Sequence, residues 1–167
     1  MNIFMPEALI ADSVFALDDK RLIKQILECY QIIRINERVL AGEEDVGYRN
    51  HPVVKFYRDK LPFVATYGKF ACYEYYMRFC KHHQYDNFFF DEAELYGRPE
   101  IYDILYCEKR STGLYENSVR YDVRNDIEPE DTHLMFRQKL IKKWDTDKRT
   151  PTWTNQTKPA WYSKGKE

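Results

Sequence analysis

The stretch from Leu17 to Leu40, LDDKRLIKQILECYQIIRINERVL, constrains the fold more than any other part of this chain. Apolar residues recur along it at the 3.6-residue spacing of one helix face: Leu22, Ile26, Tyr30 and Ile33. Three further apolar residues widen this face: Ile23, Leu27 and Ile32. Asp18 or Asp19 is suited to cap the N-terminus, and Gly42 stands where a left-handed residue ends a helix. We therefore predict one long helix, most of which is buried.

Polar residues follow a second line on the same helix in steps of three and four: Arg21, Lys24, Glu28 and Gln31. Two interpretations of this line are open. It could be a solvated face with an ion network among Arg21, Lys24 and Glu28, which is the usual outcome for such patterns. It could instead aim a carboxylate and two cations into a cleft. The isoleucine and leucine residues on both sides of the line favour the cleft.

The remaining segments predict a mainly α fold, a compact single domain over residues 1–167 with three or more packed helices. The chain has 167 residues, of which 44% are hydrophobic, so it is long enough for a sizeable core. Helices are predicted at Ala8–Phe15, from His51-Pro52 onward, at Leu61–His82 and at Thr132–Trp144. Met1–Met5 is interpreted as an edge strand or as an arm packed on the long helix. Residues 84–131 are predicted to form an irregular insert, with a small hairpin as one option, and residues 145–167 an extended tail.

Charge is distributed unevenly along the chain, although its net value is only −1. Residues 84–131 carry 13 acidic and 5 basic side chains, a net charge of −8. Residues 132–167 carry 9 basic and 3 acidic side chains, a net charge of +6. The near-zero net charge argues against a protein that binds nucleic acid non-specifically. The basic tail indicates an anionic partner held on one side only, or a tail neutralised by the acidic insert.

The tail is rich in threonine, proline and lysine, and aromatic rings stand between its cations: Trp153, Trp161 and Tyr162. Such rings are suited to stack on bases while lysines such as Lys158 and Lys164 neutralise phosphates. The alternative is that the rings pack the tail onto the core, and we expect Trp153 at least to do so.

Several classes of protein and of site are not expected from this sequence. The N-terminus has no signal-peptide pattern and no run of about 18 apolar residues is present, so a cytoplasmic protein without a membrane span is expected. The four cysteines form no CxxC pair, and Cys29 and Cys72 are interpreted as buried reduced thiols. His82 and His83 have no partners at ligand spacing, so no metal is expected. Nucleotide-binding loops and hydrolase motifs are absent, and no cofactor is expected.

Five segments carry a resemblance to a known family: MNIF at the start, LDDKRLIKQILECYQ, GYRNHP, KFYRDKLPFVATYGKFACYEYYMRF and the terminal KPAWYSKGK. In this order they resemble the pyrimidine-dimer DNA glycosylase family, the endonuclease V-like enzymes of phages and viruses. The start and the GYRNHP segment are similar to the broader phage branch of that family. The resemblance covers the first half of the chain and the tail, and it lies in the order of the segments rather than in one motif.

That resemblance implies packed helices with the N-terminus lodged between them. It also implies a reaction in which the N-terminal α-amine attacks C1′ of the sugar, the base leaves, an imine forms and β-elimination nicks the strand. A helix glutamate assists, and this role falls on Glu28. Asn2 is bulky enough to keep Met1 in place, so the nucleophile would be the Met1 α-amine, with Lys24 as the alternative amine. Free α-amines have a pKa of about 8, so a fraction large enough for nucleophilic attack is unprotonated at neutral pH.

The same resemblance extends to residues around the glutamate and in the tail. The side chains predicted to line the cleft are Arg21, Lys24 and Gln31. Arginines that flank the family's glutamate are replaced here by Leu27 and Gln31. Asn50 and His51 would contact phosphate or base at the start of the next helix. The residues predicted to hold DNA in the tail are Lys158, Trp161, Tyr162 and Lys164.

Three functions are open at this point. The first is a DNA glycosylase, with AP lyase activity as an option, that excises a damaged or modified pyrimidine from double-stranded DNA. The second is a non-catalytic phage-type binding protein that kept the glycosylase fold and binds a nucleotide, modified DNA or a host protein. The third is an enzyme that acts on free nucleosides. The resemblance favours the first, and a monomer is expected.

Overall fold

The computed structural model describes residues 1–7, 9–95 and 129–162, with only the helix backbone described at 91–95 and 129–132. The helices of these ranges are α1 (Ile10–Phe15), α2 (Asp19–Leu40), α3 (Pro52–Phe56), α4 (Leu61–Phe79), α5 (Asp86–Leu95) and α6 (Pro129–Thr146). The described part of the chain is mainly helical and contains no strand, so the predicted fold class is confirmed. Within these ranges, none of the helices is both long enough and apolar enough to cross a bilayer.

The core lies between α2 and α4, which contact each other more extensively than any other two helices of the described residues. The apolar face of α2 that meets α4 is fully buried at these positions: Leu22, Ile26, Cys29, Ile32 and Ile33. The prediction that Ile23 and Leu27 widen this face is wrong, because they are 42% and 39% exposed. Each residue turns a helix by about 100°, so both side chains lie beyond the arc that α4 covers. Cys29 and Cys72 are buried free thiols, as predicted.

The two ends of α2 differ in how their backbone groups are satisfied. At the C-terminus the N–H of Gly42 donates to Val39 (3.1 Å) and that of Glu43 donates to Arg38 (3.1 Å). Gly42 is left-handed, with φ of 84°, so the predicted helix stop is confirmed as a Schellman-type end. At the N-terminus Asp18 occupies the capping position, but its side chain makes no capping hydrogen bond. Its carboxylate accepts instead from Arg21 Nη1 at 3.1 Å and from Trp144 Nε1 of α6 at 2.7 Å.

The first seven residues form an arm that crosses the core, not an edge strand. Ile3 and Phe4 are buried, and the Tyr67 hydroxyl of α4 donates to the carbonyl of Phe4 at 2.7 Å. Helix α6 also binds the arm, because Arg137 Nε donates to the carbonyl of Pro6 at 2.8 Å. The arm interpretation of Met1–Met5 is therefore confirmed. Because the arm is held by both α4 and α6, it fixes the position of the N-terminal amine beside α2.

Helix α5 corrects the prediction of an irregular insert from residue 84 onward. Asp86–Leu95 is helical, although its FFF run favours a strand by local propensity. Tertiary packing explains the difference. The ring of Phe89 is buried directly against Gly68 of α4, where a Cβ would collide with that ring. The hairpin option concerns residues 96–128, which lie outside the described residues.

The tail is fastened to α6 by rings and to the start of α2 by hydrogen bonds. Three tail rings surround Trp144 of α6 at centroid distances of 5.3, 5.5 and 4.5 Å: Trp153, Trp161 and Tyr162. The Asp19 carboxylate accepts from the hydroxyls of Thr152 and Thr154, both at 2.8 Å. The interpretation that rings pack the tail onto the core is confirmed for these three residues.

Asp19 is expected to make the stability of this tail attachment depend on acid pH. Burial raises the pKa of its carboxyl, but hydrogen bonds from Thr152, Thr154 and Arg78 outweigh burial and hold the pKa below its ordinary value. A depressed pKa stabilises the fold above the unfolded value of about 3.9 and loses that effect as pH falls through the folded value.

The test compares wild type with Asp19→Asn by urea unfolding. We expect the variant to be the less stable at pH 7. We expect the difference in unfolding free energy to shrink as pH falls below about 4, because the unfolded chain then protonates Asp19 while the folded carboxylate stays ionised to lower pH. Asp45→Asn, at an exposed position, is the matched control and should show a small difference at both pH values. A difference for Asp19→Asn that is the same at pH 7 and pH 3 would contradict this prediction.

Candidate active site

A hollow of about 330 Å³ opens between the N-terminal arm, the first half of α2 and the end of α6. The residues that line it are Met1, Asn2, Phe4, Lys20, Arg21, Lys24, Gln25, Glu28, Lys143 and Asp147. Four cationic side chains and the terminal amine face it against two carboxylates, so the hollow carries an excess of positive charge. Among the predicted site residues, the structure brings Met1, Arg21, Lys24 and Glu28 together here.

Glu28 lies at the centre of this arrangement and is only 6% exposed. Its Oε2 accepts from the Asn2 backbone N–H at 3.0 Å and from Gln25 Nε2 at 2.9 Å. Its Oε1 lies 3.9 Å from the α-amine of Met1 and 3.6 Å from Lys24 Nζ. Glu28 therefore faces a cleft rather than bulk solvent, and one carboxylate oxygen is held by neutral donors while the other faces two amines.

Arg21 lines the hollow but does not pair with Glu28. Its Nη1 lies 3.1 Å from Asp18 Oδ2 and 2.6 Å from Asp147 Oδ2, and Asp147 also pairs with Lys20 at 3.3 Å. Burial lowers the pKa of Arg21, yet these two carboxylates outweigh it and raise the pKa. The alternative interpretation, an ion network among Arg21, Lys24 and Glu28, does not hold for Arg21, because the nearer carboxylates of Asp18 and Asp147 bind its guanidinium.

Gln31, Asn50 and His51 lie outside the residues that line the hollow. His51 caps α3, where its Nδ1 accepts from the N–H of Val53 at 3.2 Å. The α3 segment is joined to α2 through Asn36, whose Nδ2 donates to the carbonyl of Val54 at 3.0 Å. Asn36 is eight residues beyond Glu28, about 12 Å along the helix. DNA contacts by these three residues stay a prediction.

The tail residues predicted to hold DNA have different environments. The Tyr162 ring is buried against Trp144, which is incompatible with stacking of that ring on a base in this arrangement. Trp161 is half-buried, and its Nε1 donates to Glu7 of the arm at 2.7 Å. Lys158 is exposed, with its Nζ 5.9 Å from the Tyr162 ring, and its contact with DNA stays a prediction. Lys164 lies outside the described residues.

Six residues that line the hollow were not predicted as site residues from the sequence: Asn2, Phe4, Lys20, Gln25, Lys143 and Asp147. Gln25 had a detectable signal, because it is a polar residue on the apolar side of α2, one turn before Glu28. No sequence signal identified Lys143 and Asp147, because they line the hollow only as a result of the packing of α6 near the start of α2.

A sequence model of the family described as pyrimidine dimer DNA glycosylase matches residues 1–87. This range contains the arm, α2 and Glu28, and it covers more than half of the chain. No curated protein and no solved structure matches the chain. The family match supports a function of the glycosylase type that acts on DNA. This chain belongs to the pyrimidine dimer DNA glycosylase family.

Proposed function

We propose that this protein is a DNA glycosylase with AP lyase activity that excises a damaged or modified pyrimidine from duplex DNA. The observation that carries the proposal is the position of the Met1 α-amine, 3.9 Å from Glu28 Oε1 at the edge of the same hollow. A nucleophilic amine and a carboxylate are the two groups that imine-forming excision of a base needs. The family match over this part of the chain supports the same class of reaction.

In the proposed reaction the unprotonated α-amine of Met1 forms a bond to C1′ of the damaged nucleotide. The bond from C1′ to the pyrimidine nitrogen breaks, and the pyrimidine leaves with the electron pair and takes up a proton. The amine gives up one proton, the C1′–O4′ bond breaks as the sugar ring opens, and O4′ takes up a proton, which leaves a protonated imine between Met1 and C1′. Removal of a C2′ proton then breaks the C3′–O bond and cuts the strand by β-elimination.

Glu28 is placed to act at two points of this sequence. With C1′ at the Met1 amine, the Glu28 carboxylate would lie beside the sugar carbon that becomes positively charged as the base leaves, and a preoriented charge in a hollow stabilises such a centre. Its Oε1 also faces the amine and is the group positioned to move protons from it. Lys24, which lies 3.6 Å from Oε1, is the competing amine.

The cations at the mouth of the hollow are suited to the DNA backbone. Lys20 and Lys24 have side chains that are 65% and 63% exposed, and Lys143 is exposed on the opposite wall. Exposed lysines neutralise phosphates and release counterions, so affinity for DNA should fall as salt rises.

Borohydride trapping tests the proposal directly. The protein is incubated with duplex oligonucleotides that contain one thymine dimer or one abasic site, and borohydride reduces any imine to a stable amine link. We expect a covalent complex on a denaturing gel, and peptide mass mapping should place the link on the α-amine of Met1. Intact mass of the free protein establishes which residue carries that amine.

Lys24→Ala is the control that separates the two amines, and it should still be trapped. A link on Lys24 in the wild type would overturn the assignment of the nucleophile. If neither duplex is trapped or cut, the proposed activity is wrong, and retained binding to the duplexes would then support the non-catalytic binding protein.

A further inference from the structure

We infer that Gln25 is a positioning residue of the proposed reaction, because its single amide group holds both the N-terminal arm and the Glu28 carboxylate. The inference rests on the proposed function and deepens it. Gln25 lines the hollow, but its amide bonds the arm backbone and Glu28 rather than the amine of Met1. It acts through the arm, which carries that amine, and through Glu28, which faces it.

The contacts of Gln25 join the N-terminal arm to α2. Its Oε1 accepts from the backbone N–H of Phe4 at 2.9 Å. Its Nε2 donates to the carbonyl of Asn2 at 2.6 Å and to Glu28 Oε2 at 2.9 Å. Gln25 is 1% exposed, so water does not compete for these bonds.

The orientation of this amide is dictated by its partners. The Phe4 N–H is a donor and requires the oxygen of the amide. The Asn2 carbonyl and the Glu28 carboxylate are acceptors and require the nitrogen. A flipped amide would place two acceptors against its oxygen and a donor against its nitrogen, which removes the usual ambiguity of a glutamine side chain.

As a consequence, the two carboxylate oxygens of Glu28 have different partners and different roles. Oε2 is occupied by two neutral donors, the N–H of Asn2 and Nε2 of Gln25. Oε1 is left facing the amines of Met1 and Lys24. Rotation of the carboxylate would break both hydrogen bonds to Oε2. Gln25 therefore keeps Oε1 of Glu28 directed at the α-amine of Met1. Misplacement of such groups by about 1 Å is enough to cost on the order of 10²-fold in rate.

An amide meets these requirements, and a charged or apolar side chain of similar size does not. A glutamate at this position would place a second carboxylate within about 3 Å of Glu28, and two such groups share a proton instead of both ionising. A leucine would keep the volume but would leave the buried Phe4 N–H and Asn2 carbonyl without this partner.

The experiment compares wild type, Gln25→Leu and Gln25→Glu in single-turnover trapping with the abasic duplex. We expect Gln25→Leu to lower the trapping rate at saturating protein about 10- to 100-fold, with DNA affinity within about threefold of wild type. We expect Gln25→Glu to introduce a new titration step into the pH–rate profile, because only its protonated form donates as the amide does. Partial recovery of its rate at the acid end of the profile is the signature.

Asn36→Leu is the matched control. Asn36 is also a fully buried amide of α2, with hydrogen bonds to the carbonyls of Ile32 and Val54, but it lies outside the hollow. The Asn36→Leu variant should lose about as much thermal stability as Gln25→Leu, and it should trap DNA at the wild-type rate. Thermal unfolding of all variants verifies that each is folded at the assay temperature.

Two outcomes separate this inference from the proposed function. If the wild type traps DNA but Gln25→Leu traps at the same rate, or if Gln25→Glu has a pH profile identical to that of the wild type, the positioning role is wrong and the proposed function stands. If the wild type does not trap DNA at all, the proposed function is wrong and the positioning role falls with it.

Discussion

Glu28→Gln should excise a pyrimidine from duplex DNA about 10³-fold more slowly than the wild type under single-turnover conditions. The glutamine keeps the shape of the side chain and an oxygen that accepts from Asn2 and Gln25, but it removes the negative charge next to the Met1 amine. One general acid–base group contributes about 10²- to 10⁴-fold, and preoriented charge acts in the same direction. A factor of 10³ corresponds to about 4 kcal/mol of barrier.

DNA binding provides the second readout for Glu28→Gln. Affinity should be equal to that of the wild type or slightly higher, because an anion is removed from the hollow that we propose binds DNA. Glu37→Gln makes the same change in charge on the same helix at a residue paired with Arg34 at 2.9 Å, and it should excise at the wild-type rate. An excision rate of Glu28→Gln within about threefold of the wild type would contradict the catalytic role.

Arg78→Met should reduce the free energy of unfolding by about 3–5 kcal/mol, the range for breaking a buried charge network by removing one partner. Arg78 is 1% exposed and donates at 2.8–3.0 Å to four acceptors: Glu74, Asp19, and the carbonyls of Leu17 and Phe15. Methionine fills part of the volume but makes none of these bonds, so buried carboxylates lose their cation. Urea unfolding followed by circular dichroism measures the change.

Arg34→Met is the matched control for that measurement. Arg34 pairs with Glu37 on the surface of α2 with a side chain that is 52% exposed, and surface pairs of this kind contribute about 0–1 kcal/mol. Arg78→Lys should also lose most of the stability, since an ammonium group cannot span the positions that the planar guanidinium reaches. A loss below about 1 kcal/mol for Arg78→Met would show that the network is not needed for the fold.

The candidate site was predictable in part. Glu28 was found from its place on a polar line of α2 and from the resemblance of that segment to a family, and the structure places it beside the amine of Met1. Gln25 was overlooked because a single polar residue among apolar ones does not reveal its partner. The partners of Arg21 were also not predictable, since Asp147 lies 126 residues away in the chain and reaches it only across the end of α6.

The sequence by itself determined the helices and their limits where the signal is local. The apolar spacing of α2 and the left-handed Gly42 at its end act within one or two turns, and a helix depends on contacts of that range. Only the tertiary structure decided which side of α2 is buried, why the FFF segment of α5 is helical, and where the tail rings pack. Those outcomes depend on contacts between distant segments, such as the bond of 2.7 Å from Trp144 to Asp18. No short window of sequence contains both partners of such a contact.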